Sequence, residues 1–155
     1  DYAICSIVSN KNNGGIYMKI KSLLIMPGKE VQIVKIPGNI KFIKNLIGNE
    51  LKMFKATKDT IIITNKNAPF DEFNRFFKGN IILGTFIVVS FKNHHRVSMS
   101  RQTIDEFSHI FSLRKHQNKI TRYKEDFLEE YYYNKKKMKE HNAKINKKYL
   151  FKNIA

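Results

Sequence analysis

The longest nearly charge-free stretch of the chain is residues 80–91, which are rich in β-branched and aromatic side chains. This stretch is too short to cross a membrane as a helix, because a bilayer requires about 20 apolar residues. A run that is apolar at successive positions instead predicts a central strand buried on both faces. Gly84 interrupts the run and predicts a bulge or a close approach of another backbone.

Two pairs of apolar-rich segments predict β-hairpins ahead of this strand. In residues 19–36 the segments flank Pro27 and Gly28. This dipeptide suits a type II turn, because proline fixes φ and glycine accepts a positive φ. In residues 51–64 the segments flank a polar turn at 57–59.

Apolar positions at helical spacing predict two helices packed on the sheet. Asn39 is a suitable N-cap for a helix over residues 40–47, and Gly48 follows where a glycine commonly ends a helix. Ser100 is a suitable N-cap for a second helix. The apolar residues of this second helix are Ile104, Phe107, Ile110 and Phe111.

A cluster of phenylalanines in residues 67–79 predicts a further helix. Pro69 suits the first helical position, and acidic residues in the first turn and basic residues in the last match the helix dipole. Gly79 closes the segment. A core role is favoured for the phenylalanines, and a stacking platform for bases is the alternative. They are Phe70, Phe73, Phe76 and Phe77.

The first seventeen residues differ in character from the rest. The chain opens with Asp, and codons for Gly14 and Gly15 can spell a bacterial ribosome-binding sequence shortly before Met18. We therefore expect residues 1–17 to be a translated leader or disordered extension, with a genuine N-terminal extension or a chain cut from a longer protein as the alternatives. A compact domain is then expected over residues 18–112.

Net charge is the feature of the composition that says most about possible partners. The 155 residues include 29 basic and 13 acidic side chains, for a formal net charge of +16. Such an excess favours polyanionic partners, whereas simple solubility of a small protein is the alternative. The single cysteine, Cys5, excludes an internal disulfide framework and predicts a reducing, cytoplasmic location.

Half of the excess charge lies in residues 114–155, which hold 13 basic and 5 acidic side chains. We expect residues 113–155 to form a basic helical tail that binds DNA or RNA with little sequence preference, because lysines release counterions from phosphates. Tyr132 and Tyr133 are candidates for stacking on unpaired bases. The predicted nucleic-acid-binding residues are Arg122, Lys124, Lys135, Lys136, Lys137, Lys139, Lys144, Lys147 and Lys148.

Two other interpretations of the tail are open. Its sparse apolar positions follow roughly one helical stripe, which allows a solvated helix packed on the domain or on a second copy. A basic amphipathic helix at an anionic membrane is disfavoured, because the stripe is too polar. No membrane partner is therefore expected, and the oligomeric state stays open.

Motifs for catalysis or metal binding are absent from the sequence. There is no phosphate-binding loop, dinucleotide fingerprint, nucleophile elbow or paired-histidine zinc motif. His94 and His95 are adjacent rather than one helical turn apart, which favours a solvated loop over a metal site. We expect no metal, no cofactor and no catalytic residue, although an enzyme whose cleft is assembled by the fold is an alternative.

The order of several short motifs resembles a small bacterial family known only as a domain of unknown function, DUF3846, over residues 18–112. The matching segments are 24–29 (Leu-Ile-Met-Pro-Gly-Lys), the helix 40–47 with the Gly-Asn after it, 62–65 (Ile-Ile-Thr-Asn), Asn74 with Arg75, 84–89 (Gly-Thr-Phe-Ile-Val-Val) and the helix after Ser100. The resemblance implies a fold and a setting in phages or other mobile elements, but no reaction. The long basic tail departs from the family.

Within this resemblance, Asn74 and Arg75 match a polar pair that recurs in the family before its Gly-Thr strand. Such a pair binds a partner or an anion, or it ties down neighbouring carbonyl groups at the end of an element. The second role is favoured.

Together these patterns predict an α+β domain: an antiparallel or mixed sheet of about five strands, two or three packed helices and a basic C-terminal helix. The expected function is that of a non-enzymatic mobile-element accessory protein that binds nucleic acid through the tail. The alternative is a protein-binding modulator, such as an inhibitor of a host defence nuclease, with a host protein or ribonucleoprotein as its partner.

Overall fold

The structure is a computed structural model that describes residues 4–6 and 18–152. The predicted leader, residues 1–17, lies outside the described residues except for residues 4–6. The strands are β1 (Ile4–Ser6), β2 (Lys19–Ile25), β3 (Gln32–Pro37), β4 (Leu51–Thr57), β5 (Thr60–Asn65), β6 (Phe73–Phe77), β7 (Asn80–Leu83), β8 (Phe86–Lys92) and β9 (His95–Val97). The helices are α1 (Ile40–Ile47), α2 (Arg101–Ile110) and α3 (Leu113–Lys152).

A mixed sheet forms the centre of the fold, and the predicted α+β class is confirmed. Its strands lie in the order β1-β3-β2-β8-β5-β4, with β9 paired to β8. The β1–β3 pair is parallel, and the other pairs are antiparallel. The described sheet thus has seven strands rather than about five, and β6 and β7 form a separate two-stranded sheet.

Strand β8 is the central strand that the sequence predicts, and its first five residues are buried. It pairs with β2 on one side and with β5 on the other. Phe86 and Val88 point into one hydrophobic cluster, whereas Ile87 and Val89 point into another. Since successive side chains of a strand face opposite sides, both faces of β8 are covered.

The two clusters lie on opposite faces of the sheet. One face is covered by α1, which contributes Ile43. The other face is covered by α2 with its C-cap Phe111 and by the β6–β7 hairpin; α2 contributes Phe107 and the hairpin contributes Ile82. The fold is therefore a sheet buried between a single helix on one side and a helix with a hairpin on the other.

Local signals account for most of these elements. The predicted hairpins are β2–β3 and β4–β5. The side chain of Asn39 accepts a hydrogen bond from the Phe42 N–H at 2.7 Å, and that of Ser100 accepts one from the Thr103 N–H at 3.2 Å. Both predicted N-caps are thus confirmed.

The helix predicted for residues 67–79 is wrong, because this segment forms a turn and then β6. Aromatic residues prefer strands, and Lys78 and Gly79 both have positive φ, as a two-residue turn into β7 requires. A bulge between Phe73 and Arg75 breaks the two-residue alternation that identifies a strand in sequence. The core role of the phenylalanines holds for Phe73 and Phe76, which are buried, whereas Phe70 is 57% exposed.

The prediction of one continuous strand over residues 80–91 is also wrong. Leu83 ends β7, the backbone turns at Gly84 with a φ of +71°, and β8 begins at Phe86. A Cβ placed on Gly84 would lie 2.9 Å from the Cβ of Ala68. The expected close approach at this glycine is therefore real, and it turns the chain from one sheet into the other.

The basic tail is helical, as predicted. Helix α3 spans Leu113–Lys152 in one piece. The chain divides into two compact units, Asp1–Ile120 and Thr121–Ala155. The first two turns of α3 consequently belong to the same unit as the sheet.

Replacing Gly84 should destabilise the fold more than replacing Gly28, although both have a φ of +71°. At Gly28 nothing lies within 4 Å of an added Cβ. Gly28→Ala should therefore cost only the left-handed backbone penalty, about 1 kcal/mol. Gly84→Ala adds the clash with Ala68, for roughly 2–4 kcal/mol. Urea unfolding of both variants measures the difference, and equal costs would contradict the close approach.

Candidate nucleic-acid interface

The predicted nucleic-acid-binding residues all lie on α3, and all are exposed. Residues 135–148 hold seven lysines and one acidic residue, Glu140. Upstream, residues 121–134 hold two basic residues, Arg122 and Lys124, against four acidic ones. Charge is therefore segregated along the helix axis, and the strongly positive part is residues 135–148.

The lysines of residues 135–148 make no ion pairs with other described side chains. Within residues 18–148, where side chains are described, the one ion pair joins Lys66 and Glu50 at 4.0 Å. Glu140 thus neutralises none of its lysine neighbours by direct contact. The positive charge of this part of α3 is available to a ligand.

Two of these lysines cover tyrosine rings one turn earlier in the helix. The Lys135 ammonium lies 5.9 Å from the Tyr131 ring centre, and the Lys137 ammonium lies 4.8 Å from that of Tyr133. Tyr132 packs edge-on against Tyr131 and is 62% exposed. Of the two tyrosines expected to stack on bases, Tyr132 thus presents the more open ring.

Asn74 and Arg75 lie elsewhere, fully buried in β6. The Arg75 Nε donates to the Phe111 carbonyl at 2.8 Å, and its Nη2 donates to the Lys29 carbonyl. The Asn74 Nδ2 donates to the carbonyls of Ile25 at 2.9 Å and Gly84 at 2.6 Å. The pair therefore joins β2, the β2–β3 turn, the β7–β8 turn and the end of α2.

The Arg75 charge is held by carbonyl dipoles. Its Nη1 donates to the Asn74 side-chain oxygen at 3.0 Å. Burial lowers the pKa of Arg75, and the Glu30 carboxylate opposes this shift. An arginine nevertheless stays protonated in proteins, so its donors require the acceptors that surround it. This geometry serves the structure of the domain and leaves neither side chain exposed to a partner.

His116 is a buried residue that no sequence pattern indicates as special. Its Nδ1 accepts from the Phe76 N–H at 3.1 Å, so the proton is on Nε2, which donates to the Ile110 carbonyl at 2.7 Å. Burial lowers the pKa of His116, as do the nearby charges of Arg75, Lys119 and Lys115, against the Ile110 hydrogen bond. The neutral ring fastens the start of α3 to the edge of β6.

The structure also contains a groove that no sequence pattern predicted. It has a volume of about 600 Å³ and is lined by parts of β4, β5 and β7 with the turns next to them. Four lysines line it, and among the described lining residues there is no acidic side chain. Lys52, Lys66 and Lys78 come from three separate elements, so their proximity follows from the tertiary fold alone.

The remaining candidates do not converge on a reactive site. His94 and His95 are exposed at the turn into β9, where Asn93 and His94 have positive φ. Among the described residues, no three His, Cys, Asp or Glu side chains are grouped so as to hold a metal ion. Across the same residues, no helix combines the length and apolarity needed to span a membrane.

Comparison with known proteins identifies the class of the chain. The family described as a domain of unknown function (DUF3846) matches residues 18–112, and the chain belongs to this family. The match covers β2 to β9, both of the packed helices α1 and α2, and the Asn74–Arg75 pair. Neither the curated proteins nor the solved structures gave a match.

Arg75→Lys should destabilise the protein by about 3 kcal/mol, because one ammonium cannot reach carbonyls on three sides and buried acceptors lose their donor. Arg96→Lys is the control, since Arg96 makes one hydrogen bond, to the Gly38 carbonyl at 2.9 Å. Denaturant unfolding compares the two variants. A cost for Arg75→Lys as small as that for Arg96→Lys would contradict the role of the guanidinium.

Stability should fall as the pH drops below the ordinary His116 pKa of 6.5. The folded pKa is lowered, so in this window the unfolded chain binds more protons, and the loss is at most about 1.4 kcal/mol per pH unit. The loss ends below the folded pKa. His116→Asn should flatten the dependence between about pH 5 and 7. His141→Gln, which replaces an exposed histidine, is the control for loss of an imidazole. Unfolding midpoints across this range measure the effect.

Proposed function

We propose that this protein is a non-enzymatic, cytoplasmic nucleic-acid-binding protein that engages DNA or RNA through residues 135–148 of α3. The observation that carries the proposal is the density of accessible charge on this segment. Seven exposed lysines lie within about 20 Å of helix axis, since an α-helix rises about 1.5 Å per residue. We also propose that the protein functions in a phage or another mobile element, and this part of the proposal rests on the family resemblance.

The chemistry of the segment favours phosphate contacts over base recognition. A lysine ammonium is a flexible point charge without the fixed fork with which arginine recognises guanine. Residues 135–148 contain no arginine. Binding should therefore depend strongly on salt and weakly on sequence.

The arrangement around the helix allows contacts over a wide face. At about 100° per residue, the seven lysines occupy roughly 220° of the circumference. The remaining face holds Met138 and Ile145, which are 67% and 39% exposed. The lysine face is wide enough to meet phosphates from more than one strand.

The other predicted residues support this segment to different degrees. Tyr132, with its exposed ring, suits stacking on an unpaired base, which adds to binding of single strands. The ring of Tyr133 is contacted by the Lys137 ammonium, so it is less open to a base than the ring of Tyr132. Arg122 and Lys124 lie beside four carboxylates in residues 121–134, so their contribution should be smaller.

Removal of lysines from α3 should weaken binding to labelled duplex DNA and reduce its salt dependence. If the intact protein contacts about five phosphates, the log–log salt slope should be roughly −4 to −5. Glutamine at Lys135, Lys136, Lys137 and Lys139 should reduce the magnitude of that slope by about 3. Fluorescence anisotropy over a salt series, with single- and double-stranded DNA and RNA, measures both quantities.

The control is a variant that loses four positive charges outside α3. Glutamine at the exposed residues Lys19, Lys35, Lys41 and Lys92 gives the same net charge but leaves α3 intact. This variant should keep a slope within about one unit of the intact protein. Equal effects of the two variants, or no binding by the intact protein near physiological salt, would refute the proposed interface.

A further inference from the structure

The groove bounded by β4, β5 and β7 lies far in sequence from α3 and has a different chemistry. Its walls include the apolar side chains of Ile81, Ile82 and Leu83, together with the ring of Phe54. All four residues of β7 line it. An edge of a β-strand therefore runs along one wall of a groove that is largely apolar.

The hairpin register shows that this edge has open hydrogen-bonding groups. Phe77 and Asn80 close the two-residue turn, so they form a hydrogen-bonded pair, and the next pair, Phe76 and Ile81, points its N–H and C=O groups outward. The outward N–H of Phe76 is indeed bound from outside the hairpin, by His116. By the same alternation, the N–H and C=O of Ile81 point away from β6.

Among the described strands, β7 pairs with β6 alone. Ile81 therefore offers a donor and an acceptor to any extended chain that enters the groove. An unpaired strand edge beside an apolar groove is the arrangement used for strand addition, in which backbone bonds give affinity and side-chain pockets give specificity.

The charges of the groove indicate which extended chain it suits. Lys52 and Lys78 line it, are exposed and make no ion pair among the described residues. The Lys66 ammonium is 4.0 Å from the Glu50 carboxylate. The Lys55 ammonium lies over the ring of Phe91, which is not part of the groove lining, whereas the Lys78 ammonium lies over the ring of Phe77, which lines the groove. Lys52 and Lys78 thus remain for carboxylates of the incoming segment.

Two other occupants fit less well. A single nucleic-acid strand requires open aromatic faces, but the rings of Phe54 and Phe77 pack 6.2 Å apart, and the Lys78 ammonium lies 5.3 Å from the centre of the Phe77 ring. A second copy pairing through the same edge would bring the two sets of groove lysines together. Like charges placed opposite one another across a strand pair are destabilising.

We propose that this groove is a docking site for an extended acidic segment of a partner protein, which adds as a strand to β7 at Ile81. Lys52 and Lys78 bind its carboxylates, and the apolar wall receives alternate side chains. This site shares no residue with the lysine segment of α3. It would provide the protein-binding surface required by the alternative function expected from the sequence.

The test begins with a phage-displayed library of random dodecapeptides selected on the full chain. The enriched peptides should be acidic and β-prone, and their synthetic forms should bind in fluorescence polarisation. Lys52→Glu combined with Lys78→Glu should weaken binding at least tenfold. The matched charge control, Lys41→Glu with Lys92→Glu, changes exposed lysines outside the groove and should alter binding less than twofold.

The backbone contact has its own test. Ile81→Pro removes the outward N–H and should weaken binding at least tenfold, and the outward direction of that N–H makes proline tolerable at this edge. Methylation of alternate peptide amides tests the same bonds in the unchanged protein. One of the two alternate sets should abolish binding, whereas the other set should not.

Three results would overturn the proposal. The first is a selection in which no peptide binds the natural chain more tightly than it binds the Lys52→Glu, Lys78→Glu variant. The second is binding that neither methylation set affects. The third concerns the variant with glutamine at Lys135, Lys136, Lys137 and Lys139. If oligo-dT displaces the bound peptides from this variant, the groove is a nucleic-acid site. Peptide binding to that glutamine variant should equal binding to the natural chain, so the groove and the helix can fail independently.

Discussion

The buried guanidinium of Arg75 determines how the layers of this domain fit together. Removal of such a charge from water costs several kcal/mol unless its donors find acceptors. Here the acceptors come from the β2–β3 turn at Lys29, from Asn74 and from the end of α2 at Phe111. A single side chain therefore links β6, the β2–β3 turn and the end of α2, which are far apart in sequence.

Elements with local signals were predictable from the sequence. Asn39 and Ser100 cap their helices through bonds to residues three positions away, and the turn at Gly28 requires only its own φ. The β6 segment was not predictable in this way. Its conformation depends on Asn74 reaching Ile25, 49 positions earlier, and on His116, 40 positions after Phe76. Helical spacing of the phenylalanines contained no information on these contacts.

The same distinction applies to the two candidate sites. The lysines of residues 135–148 are close in sequence, so composition alone revealed them, and the helix brings them together by local geometry. The groove gathers Lys52, Lys66 and Lys78 from separate elements around the open edge of β7. Near the groove the sequence offers only the Lys78–Gly79 pair, which is compatible with the end of a helix or with a hairpin turn. The positive φ values of both residues in the structure identify it as a hairpin turn.

The His116 contact also bears on where this domain ends as an exchangeable module. The family match stops at residue 112, yet the acceptor for the Phe76 N–H is supplied four residues later. A chain cut at 112 would leave that buried donor unpaired, at a cost of about 1–3 kcal/mol. For grafting or recombination of the two parts, the natural junction therefore lies after Ile120, inside α3, rather than at the end of the family match.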